Sequence, residues 1–368
     1  MKFGACGGCF FVLPYGTEQG QRATPLKANK MPARIAVNGF GTIGKRVARA
    51  VRLQDDMEVV GVAKTKPNYE ARLANKENMP LYVADGMHLD EFRDQGIVVE
   101  GSLQELLTKV DIVIDCTPEG VGRENKKLYE EAGVKAIFQG GEKHEVTGLS
   151  FNAFATYDAA YGRKYSRVVS CNTTGLIRTL YPLDRIFKID EVFASIIRRG
   201  ADPAESKGSA LNAVEPSLHL PTHHGVDVRT VLPDLNISTM AVKVPTTNMH
   251  VHCIHAKLRK SNVKTSDVLS LWDQMPRIKF VSGKHGIKTS GQIMEIARDL
   301  GRHGGDFAET IVWEDGVHVE GANLYYYQAV HQESDVIPEN IDCIRSMMEM
   351  ERDATRSIRK TDKSLGLV

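Results

Sequence analysis

The chain has 368 residues, 42% of them hydrophobic and 25% charged, with a formal net charge of +1. That length allows two domains with a core each, and the balanced charge argues against nucleic acid or an anionic membrane as a general partner. Six cysteines, at positions 6, 9, 116, 171, 253 and 343, form no disulfide framework and fit a reducing, cytoplasmic setting, and no apolar run reaches the length of a membrane span.

Residues 1–30 hold a short apolar patch broken by glycines and a proline, which reads as a disordered tail or a misassigned start, with translation beginning at Met31. Cys6 and Cys9 in "CGGC" have no second ligand pair, so no metal site is expected. From Arg34 the pattern is regular. "RIAVNG" is a buried strand, and "IGKRVARAVRLQ" places Ile43, Val47, Ala50 and Val51 on one helical face. "MEVVGVA", "DIVIDCTP" and "VKAIFQGG" follow as strands, with "LQELLTKV" and "NKKLYEEAG" as helices between them. This alternation predicts an α/β, doubly wound Rossmann-type parallel sheet over residues 31–170. After Cys171 come longer strands, "EVFASIIRRG", "ISTMAVKVP" and "NMHVHCIHAKL", with covering helices "SDVLSLWDQM" and "SGQIMEIARDLG". They predict an α+β catalytic domain with an antiparallel sheet over 171–330. The segment 331–368 opens with Pro338 in a first helical turn and carries Ile341, Ile344, Met347 and Met348 at helical spacing, a stripe read as core packing.

Gly39, Gly41 and Gly44 form a G-x-G-x-x-G loop between a predicted strand and a predicted helix, the setting in which backbone N–H groups cradle a pyrophosphate. The alternative is a tight turn with no ligand. The acid usually found after the second strand is replaced by Lys64, Thr65 and Lys66. Cations and a hydroxyl there suit a 2′-phosphate, so NADP is expected to be accepted and preferred, with NAD beside it, unless these lysines merely solvate a loop.

Cys171 follows the strand-like "YSRVVS" and opens the helix "CNTTGLIRTL". Unpaired N–H groups and the helix dipole favour a thiolate there, although many strand-end cysteines are only small packing residues. A thiolate beside a nicotinamide can add to an aldehyde, lose hydride to the ring and leave a thioester. His223 and His224, in a Pro/Gly-flanked loop, supply a candidate base, and their adjacency does not match metal-ligand spacing. Arg198 and Arg199, with Lys207 nearby, could clamp a substrate phosphate or simply face solvent. His250, His252 and His255 are read as strand surface and packing residues.

"VNGFGTIGKRVARAV", "KTKP", "IFQGGEK", "VVSCNTTGLIRTL", "IRRGADP", "HHGVDV", "VPTTNMHVH" and "QAVHQESDVIPENIDCIR" together resemble the archaeal type of phosphorylating glyceraldehyde-3-phosphate dehydrogenase, from about Met31 to about Arg345. The resemblance implies a cytoplasmic homotetramer that oxidises D-glyceraldehyde 3-phosphate with NAD(P)+ and inorganic phosphate to 1,3-bisphosphoglycerate. It implies Cys171 as nucleophile, with Ser170 and Asn172 beside it in the substrate site. Thr42 and Ile43 match the pyrophosphate turn, and Gly141 a cofactor contact. Arg199 matches a contact near cofactor and phosphate, and Gln332 a residue near the nicotinamide. His224 and Gly225 match substrate-binding positions, with the base in the same histidine pair. The C-terminal helix is expected to return to the cofactor domain. The family does not account for residues 1–30. Competing readings are a semialdehyde or acyl-phosphate reductase of another pathway, and a non-catalytic, redox-sensing nucleotide-binding protein.

Overall fold

The computed structural model describes residues 31–139, 141–201 and 212–367. The leader with Cys6 and Cys9, and Lys207 of the candidate clamp, lie outside them.

Eight strands form the first sheet: β1 (Ala33–Asn38), β2 (Met57–Lys64), β3 (Leu81–Val83), β4 (Gly101–Ser102), β5 (Ile112–Asp115), β6 (Lys135–Phe138), β7 (Ser150–Phe151) and β8 (Tyr165–Val168). They pair in the order β4-β3-β2-β1-β5-β6-β8-β7, every neighbouring pair parallel. The order reverses beside β1, where the chain crosses to β5 after building outwards through β2, β3 and β4. That reversal opens a crevice at the carboxyl ends of β1 and β5, where a doubly wound sheet binds its ligand. β1 and β5 are almost wholly buried, as expected for strands covered on both faces.

The helix Thr42–Arg52 buries Val47, Ala50 and Val51, and Ile43 is only half-buried because it reaches the crevice. Against it packs the helix Ile337–Met347, all eleven residues of which are buried. Ile341, Ile344 and Met347 join Val37 and Val47 in one core, each contributing on the order of 1.5–3 kcal/mol of apolar burial. The tail is two helices, because the chain breaks after Met347 and resumes at Ala354–Ser364, capped by the Asp353 carboxylate.

The second sheet comprises β9 (Ile189–Arg199), β10 (Glu215–Pro216), β11 (Ile237–Val244), β12 (His250–Leu258), β13 (Ile278–Val281), β14 (Thr310–Trp313), β15 (His318–Glu320) and β16 (Asn323–Val330). Its order is β10-β11-β9-β12-β16-β14-β13, with β15 on β16. The expected antiparallel pairing holds through β9, β12, β16 and β14, but β9–β11 and β13–β14 are parallel, so the sheet is mixed. The parallel pairs follow from the helical crossovers between their strands, His223–Arg229 in one and Ser290–Asp299 in the other. The helix Cys171–Phe187 covers one face through Leu176, Leu180 and Leu183.

Candidate active site

The glycine loop is built for close approach. Gly39 adopts φ +98°, and a Cβ there would stand 2.8 Å from the Cys116 carbonyl. One on Gly44 would fall 1.9 Å from the Gly39 oxygen, so Gly44 seats the helix on the strand instead of lining the crevice. Gly41 faces open space with no atom within 4 Å of its ideal Cβ, which leaves its backbone accessible to a pyrophosphate. No side chain caps the helix Thr42–Arg52 at Gly41, so its first N–H groups remain free for an anion.

A crevice of about 770 Å³ runs from this loop to the thiol. Gly39, Gly41, Thr42, Ile43, Lys64, Thr65, Gly141, Ser170, Cys171 and Gln332 all line it. Lys66 is exposed and not part of the wall. The sequence reading found no acid at this end, yet the fold supplies one: Glu70, on the helix Tyr69–Lys76, lies 3.7 Å from the Lys64 ammonium. Its distance of six residues from Lys64 hid it, because only the turn into that helix brings the two together.

Cys171 opens its helix as expected, with Ser170 as N-cap accepting from the Thr173 N–H at 3.4 Å. The helix start favours a thiolate, and the surroundings act against it. Burial pushes the Cys171 thiol up, and the nearby Asp335 adds to this once it is ionised. Arg199, the Asn172 N–H and Arg198 pull in the opposite direction without prevailing.

His223 and His224 begin a short helix, His223–Arg229, instead of sitting in a loop. Their rings stack with centroids 4.1 Å apart, but they differ in burial: His223 is exposed and His224 is enclosed. Burial, then His223, Arg198 and His252, depress the His224 imidazole to about 3, so the ring is neutral here and a weaker proton acceptor than an ordinary histidine. Its Nδ1 lies 3.1 Å from the Thr222 hydroxyl, and Gly225 donates its N–H to Thr239 Oγ1 at 3.0 Å.

The two arginines separate. Arg199 is buried, with Nη1 2.7 Å from Glu333 and Nε 3.1 Å from Gln332 Oε1, and it also donates to the carbonyls of Thr247 and Asn248. It is a brace and not an open clamp. Arg198 is half-buried, and its Nε is enclosed without a hydrogen-bond partner among the described residues. Its charge is felt at Cys171, His224 and His250.

Sequence reasoning missed His252. It is wholly buried, and its Nε2 lies 2.9 Å from Asn172 Oδ1 and its Nδ1 3.0 Å from Gln328 Nε2. Its inward position in the alternation of β12 was the available signal. Among the described residues no cluster of three metal-ligating side chains occurs, and no helix is long and apolar enough to cross a membrane.

Residues 170–315 match the model of the glyceraldehyde 3-phosphate dehydrogenase C-terminal domain, and residues 33–146 that of the dihydrodipicolinate reductase N-terminus. The glyceraldehyde-3-phosphate dehydrogenase of Methanothermus fervidus is 50% identical over 335 residues, 91% of this chain and 99% of the relative. That of Thermococcus kodakarensis is 51% identical over 338 residues, covering 92% of this chain and all of the relative. Glyceraldehyde-3-phosphate dehydrogenase 2 of Methanosarcina acetivorans is 49% identical over 336 residues, covering 91% and 99%.

Proposed function

The chain belongs to the archaeal type of the glyceraldehyde-3-phosphate dehydrogenase family, NAD(P)-dependent oxidoreductases of glycolysis, and on that footing we propose that its crevice converts D-glyceraldehyde 3-phosphate and inorganic phosphate to 1,3-bisphosphoglycerate through a thioester on Cys171. The observation that carries this reading is the continuity of the crevice, in which one wall joins the glycine loop to the Cys171 thiol. A nicotinamide dinucleotide bound there supplies the hydride acceptor.

The protein's own groups divide the remaining work. Cys171 sulfur adds to the aldehyde carbon, and loss of hydride from that carbon leaves the acyl group on sulfur. A phosphate oxygen then displaces the thiolate. His224 takes the proton. In this reading the Thr222 hydroxyl donates to Thr239, its oxygen accepts from His224 Nδ1–H, and Nε2 keeps its lone pair. Arg198 receives the substrate phosphate, with Gly225 and Ser170 bounding the pocket. Arg199 holds Gln332 beside the nicotinamide. Gly141, Thr42 and Ile43 flank the dinucleotide. Lys64 and Thr65 take a 2′-phosphate, which makes NADP the preferred partner and NAD an accepted one.

The division into 31–170, 171–330 and 331–368 belongs to the same proposal, the last segment completing the cofactor domain. So do a cytoplasmic location and a homotetramer. The outer face of the second sheet supports association: Phe193, Met240, Tyr325 and Tyr327 are all exposed there. They lie along two cross-strand rows, Phe193–His255–Tyr325 and Met240–Ser195–Cys253–Tyr327. An apolar face of this kind is characteristic of subunit contacts.

The test is reduction of NADP+ and NAD+ by D-glyceraldehyde 3-phosphate with and without phosphate, in wild type and Cys171→Ser. Phosphate-dependent turnover that collapses in the variant is expected. A folded wild type that reduces neither cofactor with this aldehyde would contradict the assignment.

A further inference from the structure

Asn172 follows the nucleophile in the first helical turn and is only 4% exposed. Its Oδ1 stands at the end of a chain of hydrogen bonds whose directions can be worked out. The Gln328 amide is placed with Oε1 accepting from the Thr179 hydroxyl at 2.8 Å and Nε2 facing His252. Gln328 Nε2, a nitrogen that can only donate, therefore meets His252 Nδ1 at 3.0 Å as donor to acceptor. Burial depresses the His252 imidazole to about 3, so the ring is neutral and its one proton sits on Nε2. Nε2–H then donates to Asn172 Oδ1 at 2.9 Å. The Asn172 amide is thus oriented oxygen towards His252 and nitrogen away from it. That nitrogen has two N–H donors, and no described residue accepts from them. Gly175 packs against this chain: a Cβ there would stand 2.5 Å from Val330 Cγ1, while Gln328 Nε2 at 3.5 Å and His252 Cε1 at 3.6 Å would lie at ordinary contact distance.

We propose that the Asn172 side-chain amide donates to the substrate oxygen as it gains charge beside Cys171, and that His252 is the positioning residue that turns the amide to do so. The inference rests on the thioester reading above. A donor aimed at developing charge in a water-poor site typically contributes on the order of a hundredfold in rate. Apart from its electrostatic effect on His224, His252 acts through Asn172, so most of its contribution should vanish when the amide is absent.

The experiment compares single-turnover hydride transfer in wild type, His252→Phe, Asn172→Ala and the double variant, using D-glyceraldehyde 3-phosphate and NADP+. Each single variant is expected to lose about a hundredfold in the hydride-transfer rate with KM nearly unchanged. The double variant should be no slower than Asn172→Ala, and His252→Gln, which can still donate to Asn172, should recover part of the rate. Losses that multiply in the double variant, or a His252→Phe that transfers hydride at the wild-type rate, would overturn the inference. If His252→Phe does not fold, nitrogen-15 NMR of the wild-type histidines decides: the Nε2–H tautomer at His252 is required, and the Nδ1–H tautomer would refute it. A wild type inert towards this aldehyde would instead remove the functional reading and leave the tautomer measurement standing.

Discussion

Lys64 enters the crevice with its ammonium 3.7 Å from Glu70, and burial lowers its proton affinity while Glu70 restores part of it. A 2′-phosphate would share this cation with the carboxylate and be opposed by it. Lys64→Ala should raise KM for NADP+ about tenfold or more, in keeping with the loss of a charge-assisted contact, and affect NAD+ much less. Glu70→Gln should lower KM for NADP+ severalfold, and steady-state kinetics with both cofactors checks the pair. Arg198→Ala should raise KM for the triose phosphate by roughly tenfold to a hundredfold, because a bond to a charged group is worth about 1.5–3 kcal/mol. Residue types and spacing sufficed to bring out the glycine loop, Cys171 and the histidine pair. They could not show that His224 is enclosed and His223 exposed, nor that Arg199 is committed to Glu333 while Arg198 is not. Those distinctions arise from contacts between strands and segments far apart in the chain.

The helix Ile337–Met347 was legible as an apolar stripe, but the stripe accounts for only part of it. Glu339, Asn340, Asp342, Arg345 and Ser346 are buried as well. Arg277, just before β13, satisfies several of these groups: its guanidinium lies 3.2 Å from Glu339, 2.5 Å from Asp342 and 2.8 Å from Asp362. Arg178 adds a contact to Glu339 at 3.0 Å, tying the helix that starts at Cys171 to the same helix. No local pattern could have announced this network, since its members are spread from residue 178 to residue 362. Removing one partner from a buried ion cluster leaves the others uncompensated, typically at 3–5 kcal/mol. Arg277→Met should therefore lower the unfolding free energy obtained from urea titration by an amount in that range, whereas Arg93→Met, which breaks the exposed pair with Asp90, should leave it nearly unchanged.

For the whole molecule, stability depends on pH through buried groups whose protonation differs between folded and unfolded chains. Asp335 is fully buried, both of its carboxyl oxygens lack a hydrogen-bond partner among the described residues, and burial raises its pKa well above the ordinary value. The folded protein therefore keeps a proton that the unfolded chain releases above about pH 4, so this group's contribution to stability is lost as pH rises. Compared with wild type, Asp335→Asn should gain stability between pH 5 and pH 8, as read from urea midpoints across that range. Association can be checked by sedimentation: Tyr327→Glu should shift the protein to smaller species if the exposed aromatic face joins subunits. Strand and helix alternation made the two-sheet plan legible from sequence, but the parallel pairs of the second sheet depend on helical crossovers whose destination no periodicity records. The central claim is that Cys171 carries the acyl group. It is tested most directly by mixing the protein with D-glyceraldehyde 3-phosphate and NADP+ in the absence of phosphate, following NADPH and mapping acylation by mass spectrometry after an acid quench. A burst of NADPH matching the concentration of chains, with the acyl group on Cys171, is predicted. A burst without acylation of Cys171, or full activity in Cys171→Ser, would contradict it.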